Sequence, residues 1–328
     1  MKSPLVGATD VYGASVSSPP NDPISVPAPV HPATAIVYPG ALALTAAAGM
    51  YASASAWPPK EVFAAMAAAG LLLALVVQLA LPYRMPAGAW WRKAPNDIVH
   101  TFLSNMLPGS AMEALLVGGL FAASTRITAL LGTAPWPTDQ PWVLQFALAL
   151  LLVELVYYVM HRLLHRVDAF WHFHAVHHSA TELYLFASSR HHLVSVTINR
   201  AAQFCALGLL GVPSEVTAPL SGMILANSWL QHCDVRLETR WLDGLLVTPA
   251  VHHFHHHRDY DLSNTNFGGA LVLWDRVFGT FHRPQGELPA SYGFEGIREN
   301  YVVQLAYPFR TLIAGSTDSA PLPPAPEG

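Results

Sequence analysis

The chain has 328 residues, of which 12% are charged and 52% hydrophobic, with a net charge of −4. A soluble domain carries about twice that charged fraction, so part of the surface is expected to meet lipid rather than water. The acidic balance and the lack of a Lys/Arg run exclude nucleic acid as a partner. The two cysteines, Cys205 and Cys233, supply neither a disulfide framework nor a CxxC metal motif.

Residues 1–32 are rich in Pro, Ser, Ala and Gly and bury too little apolar surface to fold alone, so they read as a disordered tail. Four apolar runs follow, at 33–55, 61–81, 102–123 and 142–160. Each comes close to the ~20 residues that a membrane span requires. The second is the clearest, with AAMAAAGLLLALVVQLAL and no charge after Glu61. Two shorter, more mixed runs, 194–211 and 213–230, are expected either as a hairpin entering the bilayer or as helices buried in protein.

Arg84, Arg92 and Lys93 separate the second and third runs, whereas the 124–141 loop carries only Arg126 and Asp139. The positive-inside rule therefore puts the 83–99 loop in the cytoplasm and, after four spans, everything from residue 161 as well. The expected fold is all-α and integral to the membrane: four transmembrane helices and a cytoplasmic-side helical histidine domain. Its expected divisions are a tail at 1–32, a transmembrane region at 33–141, a histidine domain at 142–285 and a C-terminal segment at 286–328 that ends in a Pro-rich tail.

Of the 17 histidines, 13 fall within 161–192 and 252–257. They form three motifs: His161 and His165 as HxxxH, His174, His177 and His178 as HxxHH, and His252, His255 and His256 as a second HxxHH. Residues three and four apart share a helical face, so each motif offers two or three imidazoles to one place. Thr248 as N-cap and Pro249 at the first helical position suit a helix start for the third motif. His257 opens a second register, His253, His256 and His257, which spacing alone does not exclude. Eight imidazoles exceed the capacity of one transition metal and fit two. Imidazole suits iron, zinc, copper and nickel alike, so the ligands do not select the metal. Outside these motifs, His31, His100 and His282 read as ordinary surface or core histidines.

In the fourth run Glu154 lies seven residues before His161, about 10 Å along a helix. A carboxylate inside a span is costly, and Glu154 with Tyr157 or Tyr158 is a candidate catalytic group that lines the route to the metals or bonds a ligand histidine. The alternative is a Glu facing other helices with a Ser or Thr partner. Asp168, Asp259, Asn266 and Asp275 are candidates to orient ligand histidines.

The three motifs, in this order and after apolar spans, resemble the fatty acid hydroxylase/sterol desaturase superfamily of membrane di-iron oxidoreductases. WHFHAVHHSA at 171–180 is similar to the second box of that family, and TPAVHHFHHHRDYDLSNTNFGGALVLWDRVFGTF at 248–281 to the third with its following motifs. The resemblance covers about 140–285 and favours the register His252, His255 and His256. It also implies extra ligands between the boxes, His232 first and His192 second. A further histidine found in fatty acid 2-hydroxylases is Ser228 here.

The resemblance implies two iron ions, which zinc can replace in purified protein, with O2 as co-substrate. It also implies a membrane-lipid substrate whose unactivated C–H bond is hydroxylated. No GxGxxG or haem motif is visible, so electrons are expected from a separate donor protein. A desaturase, an ether-lipid oxygenase or a carotenoid hydroxylase would share the boxes. From another class, a non-enzymatic metal-binding or transport protein is the rival. A zinc hydrolase is disfavoured by the lack of HExxH.

Overall fold

Helices begin where the apolar runs do, because only internally hydrogen-bonded backbone is stable beside lipid. In the computed structural model, residues 31–314 are described apart from 87, 285–287 and 295, as are the side chains there except 108–118, 121 and 314. The expected tails therefore lie outside the described residues, save positions 31 and 32.

The first two runs form α1 (Val37–Ala54) and α2 (Pro59–Ala80). A short helix, α3 (Ala94–Val99), continues through a π-helical stretch, His100–Met106, into α4 (Leu107–Leu131). The fourth run extends past its expected end as α5 (Trp142–Arg166), followed at once by α6 (Asp168–His178). Next come α7 (Leu193–Leu210) and α8 (Ser214–His232), joined through 211–213. The remainder is short: α9 (Pro249–His255), α10 (Tyr260–Ser263), α11 (Leu273–Val277) and α12 (Tyr301–Ala314). Among the described residues the only β pairing is three isolated bridges.

The protein is all-α and integral to the membrane. Four helices among the described residues are long and apolar enough to cross a bilayer: Pro32–Ala54, Pro59–Ala80, Trp142–Arg166 and Leu193–Leu210. This set differs from the expected one in a single member. The 102–123 run is helical, but most of the side chains that would decide its lipid contact lie outside the described residues. The 194–211 run instead meets the length and composition of a span. Its companion α8 is the buried one, packed by α1, α2 and α5 around Leu230, Trp229 and Ala74 on one side and Val216, Leu220 and Ala149 on the other.

The long helices alternate in direction, and contacts at their ends show where they meet. The Tyr38 hydroxyl at the start of α1 reaches Asn227 Oδ1 (2.5 Å) on α8. Past α2, Tyr83 N–H donates to the Asp234 carbonyl (3.0 Å). Just before α4, Asn105 donates to the Ser189 carbonyl (2.8 Å), close to the start of α7. The starts of α1, α4 and α7 and the ends of α2, α5 and α8 thus gather at one end of the bundle. That is where every histidine motif lies.

Small residues let these helices approach closely, as is common for helix pairs in lipid. A Cβ added at Gly70 of α2 would collide with the Ala226 methyl on α8 and stand 2.9 Å from the Ala226 Cα. Backbone cannot yield as a side chain does. Gly70→Leu is expected to cost about 1–3 kcal/mol or more and to lower the melting temperature in detergent, whereas an unchanged melt would mean that α2 and α8 are not so close.

A candidate binuclear metal centre

The apolar stripe of α5 ends in His161 and His165, so the helix that enters from the membrane delivers two imidazoles at its tip. On α6 and α9 the histidines are buried along with the helices themselves. The expected caps of α9 are present: Thr248 Oγ1 accepts from Val251 N–H, and Pro249 opens the helix.

The histidines gather in two groups. One comprises His161, His165, His174, His178 and His255; the other His177, His232, His252 and His256. Within each, one nitrogen per ring lies within 4.8 Å of the others, and every member is buried. The groups adjoin, with the His178 and His256 rings 4.6 Å apart. The HxxHH motifs are split rather than pooled. At about 100° per residue, the i+3 and i+4 side chains diverge by about 100° while i and i+4 differ by only about 40°. Accordingly His174 and His178 serve one group and His177 the other. His252 and His256 serve the second group, and His255 returns to the first.

Of the ten expected metal ligands, His192 is the one that joins neither group. Its Nδ1 accepts from Val194 N–H (3.1 Å) as the N-cap of α7, and its Nε2 donates to the Leu305 carbonyl (3.1 Å). The competing register is not used in these groups. His253 is turned away, bonded to the Tyr292 hydroxyl (2.8 Å) and the Cys233 carbonyl (3.1 Å), and His257 Nδ1 accepts from Asp259 N–H (2.8 Å).

Four members have their tautomer fixed by backbone. The Nδ1–H groups of His161, His177, His232 and His255 donate to the carbonyls of Phe267 (2.9 Å), Arg190 (3.2 Å), Ser228 (2.8 Å) and Thr265 (2.8 Å). Each Nε2 lone pair is then free to face its group, the arrangement used by metal-bound histidines. Several buried ring nitrogens have no protein partner: both of His165, Nδ1 of His174, His252 and His256, and Nε2 of His178 and His255. Such groups are costly unless something binds them. Neither group contains a carboxylate or a thiolate, so the donor set is neutral. The residues fit two transition-metal ions.

Burial, and then the neighbouring imidazoles, hold His174, His177, His178, His252 and His256 well below the usual histidine value of 6.5. Burial takes His255 down to about 4. These rings are neutral when folded, whereas the unfolded chain takes up protons below about pH 6.5. The unfolded state therefore binds more protons, and stability falls as pH drops through that value. The metal-free protein is expected to melt progressively lower from about pH 7.5 to about pH 5, and a flat profile would contradict the neutral cluster. Metal retention should fall in the same direction, because protons compete for the same lone pairs.

The surrounding polar groups hold the loop after α9. Asp275 accepts from Phe267 N–H (2.7 Å), Gly268 N–H (2.8 Å) and the Thr280 hydroxyl (2.7 Å). Glu154 is placed differently from either sequence expectation. Its Oε2 accepts from the next three amides, Gly269 (3.2 Å), Ala270 (2.8 Å) and Leu271 (2.9 Å). Residues 267–271 thus hang from two carboxylates, and the Phe267 carbonyl at their head orients His161. A side chain at 269 would displace the Glu154 carboxylate, since a Cβ would lie 2.9 Å from its Oε1. Tyr158 braces the same region through Thr280 (3.0 Å) and Arg162 (3.2 Å). Asn266, with φ of 57°, bonds Val251 and His282, while Asp259 caps α10. Asp168 is exposed and lies 3.5 Å from His172, which is not in either group.

Sequence reasoning missed a second support. Arg190 is fully buried and forms a two-point pair with Asp97 (2.8 and 3.0 Å), to which the Tyr184 hydroxyl also donates. Its carbonyl is the one that orients His177. The only signal in the sequence is that Arg190 precedes His191 and His192; Asp97 is too distant in the chain to be linked to it. His191 itself stacks on His177 at 4.0 Å. Burial first, then His232, His100 and Arg200, push it down to about 3.

Fold and site together define a helical membrane protein whose bundle is capped by two adjoining histidine groups. The fatty acid hydroxylase description matches residues 146–280. The ornithine lipid hydroxylase OlsE of Rhizobium tropici is 33% identical over 234 residues, covering 69% of this chain and 70% of OlsE. The human alkylglycerol monooxygenase is 32% identical over 147 residues, 45% of this chain and 32% of that protein. A cholesterol 25-hydroxylase-like protein of Danio rerio is 28% identical over 169 residues, 48% of this chain and 62% of its own length. No solved structure is significantly similar. The chain belongs to the fatty acid hydroxylase family of enzymes.

Proposed function

We propose that the protein is an O2-dependent di-iron oxygenase that hydroxylates an unactivated C–H bond of a membrane lipid. The observation that carries this reading is the pair of adjoining buried histidine groups, in which one nitrogen of every ring converges and several ring nitrogens lack a protein partner. His161, His165, His174, His178 and His255 would hold one ion, and His177, His232, His252 and His256 the other. Iron held there would supply the O2 activation that oxidation of a C–H bond requires, with electrons from a separate donor.

The chain's own part is positioning and exclusion of water. Carbonyls 190, 228, 265 and 267 fix ring orientation. Trp171 packs on His165 (5.2 Å) and His178 (5.5 Å), Phe267 on His165 (5.1 Å), and Tyr157 meets His161 edge-on (5.2 Å). This aromatic wall keeps bulk water from the ions, and α5 and α7 lead from the bilayer to them. By the charge asymmetry of the loops, the histidine end faces the cytoplasm, where a separate donor protein would deliver electrons.

Lipid profiling of cells with and without the gene under 18O2 tests the reading. One labelled oxygen in a lipid that depends on the gene is expected. A new double bond without label would make the enzyme a desaturase, and a labelled aldehyde an ether-lipid oxygenase. Bound metal without O2 consumption, for every lipid and reductant tried, would favour a metal-binding protein with no oxidative chemistry.

A further inference from the structure

Two interior arginines of this chain are treated differently. Arg190 is matched by Asp97 and by Glu299 (3.2 Å). Arg200 lies within α7, eight residues beyond the cap at His192, or about 12 Å along the helix. A cation in a span is costly and generally has a partner or a task. Among the described residues the ion pairs involve Lys93, His172, Arg190 and Arg240, and none reaches Arg200. Its one protein hydrogen bond there runs from Nη1 to the Asn105 carbonyl, a single neutral acceptor for a cation with five N–H groups. Among the described residues the neighbouring polar side chains do not add to it, since Gln203 donates to Asn199 Oδ1 (2.7 Å).

The location of this guanidinium is informative. Side chains on a helix lean toward its N-terminus, and long cationic ones reach back to the interface. Asn105, which Arg200 meets, also donates to the carbonyls of His100 (2.9 Å) and Ser189 (2.8 Å). Ser189 is two residues from His191, and His191 lies flat against His177 of the second group. The half-buried guanidinium therefore stands between the bilayer and the histidine groups, at the level of the π-helical stretch.

We propose that Arg200 is the counter-ion for an oxyanion of the lipid substrate, a carboxylate or a phosphate, and so restricts the site to anionic or zwitterionic lipids. Arg matches both groups with paired, charge-assisted hydrogen bonds. The assignment rests on the lipid-oxygenase reading, but the anchor is testable without turnover.

The metal-loaded full chain in uncharged dodecyl maltoside would be titrated with palmitate, hexadecyl phosphate and hexadecanol, which share one chain length. At least one anionic probe is expected to bind about tenfold more tightly than the alcohol, and the tighter of the two identifies the head group. Arg200→Gln should erase that preference while leaving alcohol binding and metal content unchanged, and Arg200→Lys should keep part of it. No preference in the wild type, or the same preference in Arg200→Gln, would overturn the proposal. Should Arg200→Gln fail to fold, an undiminished preference for phosphate or carboxylate when the wild type is titrated in high salt would likewise count against it, since a partly exposed ion pair is screened. Anion preference without lipid oxidation under 18O2 would leave the anchor standing and remove the oxygenase reading instead.

Discussion

Replacing His256 by alanine is expected to reduce the bound metal from about two ions per chain to about one and to lower activity at least 100-fold. Its group has four members, so the substitution leaves three imidazoles, one fewer than the group of five keeps after the same loss. The adjacent residue gives the contrast. His255→Ala acts on the group of five and leaves four, so that group should hold its ion more weakly rather than lose it. His253→Gln, one turn of register away, should keep both ions, since His253 bonds Tyr292 and Cys233. Metal-to-protein ratios of the three variants, measured beside activity, decide the matter. Two ions retained by His256→Ala would break the assignment of that group.

Glu154 offers the second large effect, and its two substitutions should diverge. Leucine would strand three amides, of which the buried one at Ala270 alone costs about 1–3 kcal/mol, and would free the loop that carries the His161 acceptor. Activity should fall by about 10–100-fold or more, with faster loss of metal to a chelator. Glutamine can place its carbonyl where Oε2 stands and keep the amide bonds, weakened only by the loss of charge. Most activity should then survive. Equal loss in both variants would mean that the carboxylate touches substrate or metal, and Glu154 would be a catalytic residue rather than a positioning one.

The contrast between these residues shows what was legible in the sequence. Helical spacing made the three histidine motifs visible, and resemblance added His232, because both kinds of signal are carried by local patterns. Neither could divide the histidines into groups. That division depends on a difference of about 100° between neighbouring side chains and on which helix each then faces. Glu154 stood out as a carboxylate in an apolar run, but its partners are backbone amides more than a hundred positions away, which no side-chain pattern records. Asp97 and Arg190 were invisible for the same reason, since their pairing is made by tertiary packing alone. His192 looked like a ligand because the resemblance implies extra histidines between the boxes, where it stands second to His232. Histidine can also cap a helix, and it does so there. The membrane region was legible in kind, yet composition could not decide how 194–211 and 213–230 divide the roles of lipid-facing and buried helix.

The alternation of the histidines has a kinetic consequence. His177 and His178 are neighbours on α6 but belong to different groups, as do His255 and His256 at the end of α9. On the proposed function, a first ion would pin both segments, and the second set of imidazoles would be immobilised without further loss of freedom. Filling of the centre should therefore be cooperative, with singly loaded molecules scarce during titration, and removal of either ion should hasten departure of the other. Because the last of these side chains lies near residue 256, neither group is complete until the chain has been made past that point. Metal loading would then be a checkpoint on assembly as well as a condition for chemistry.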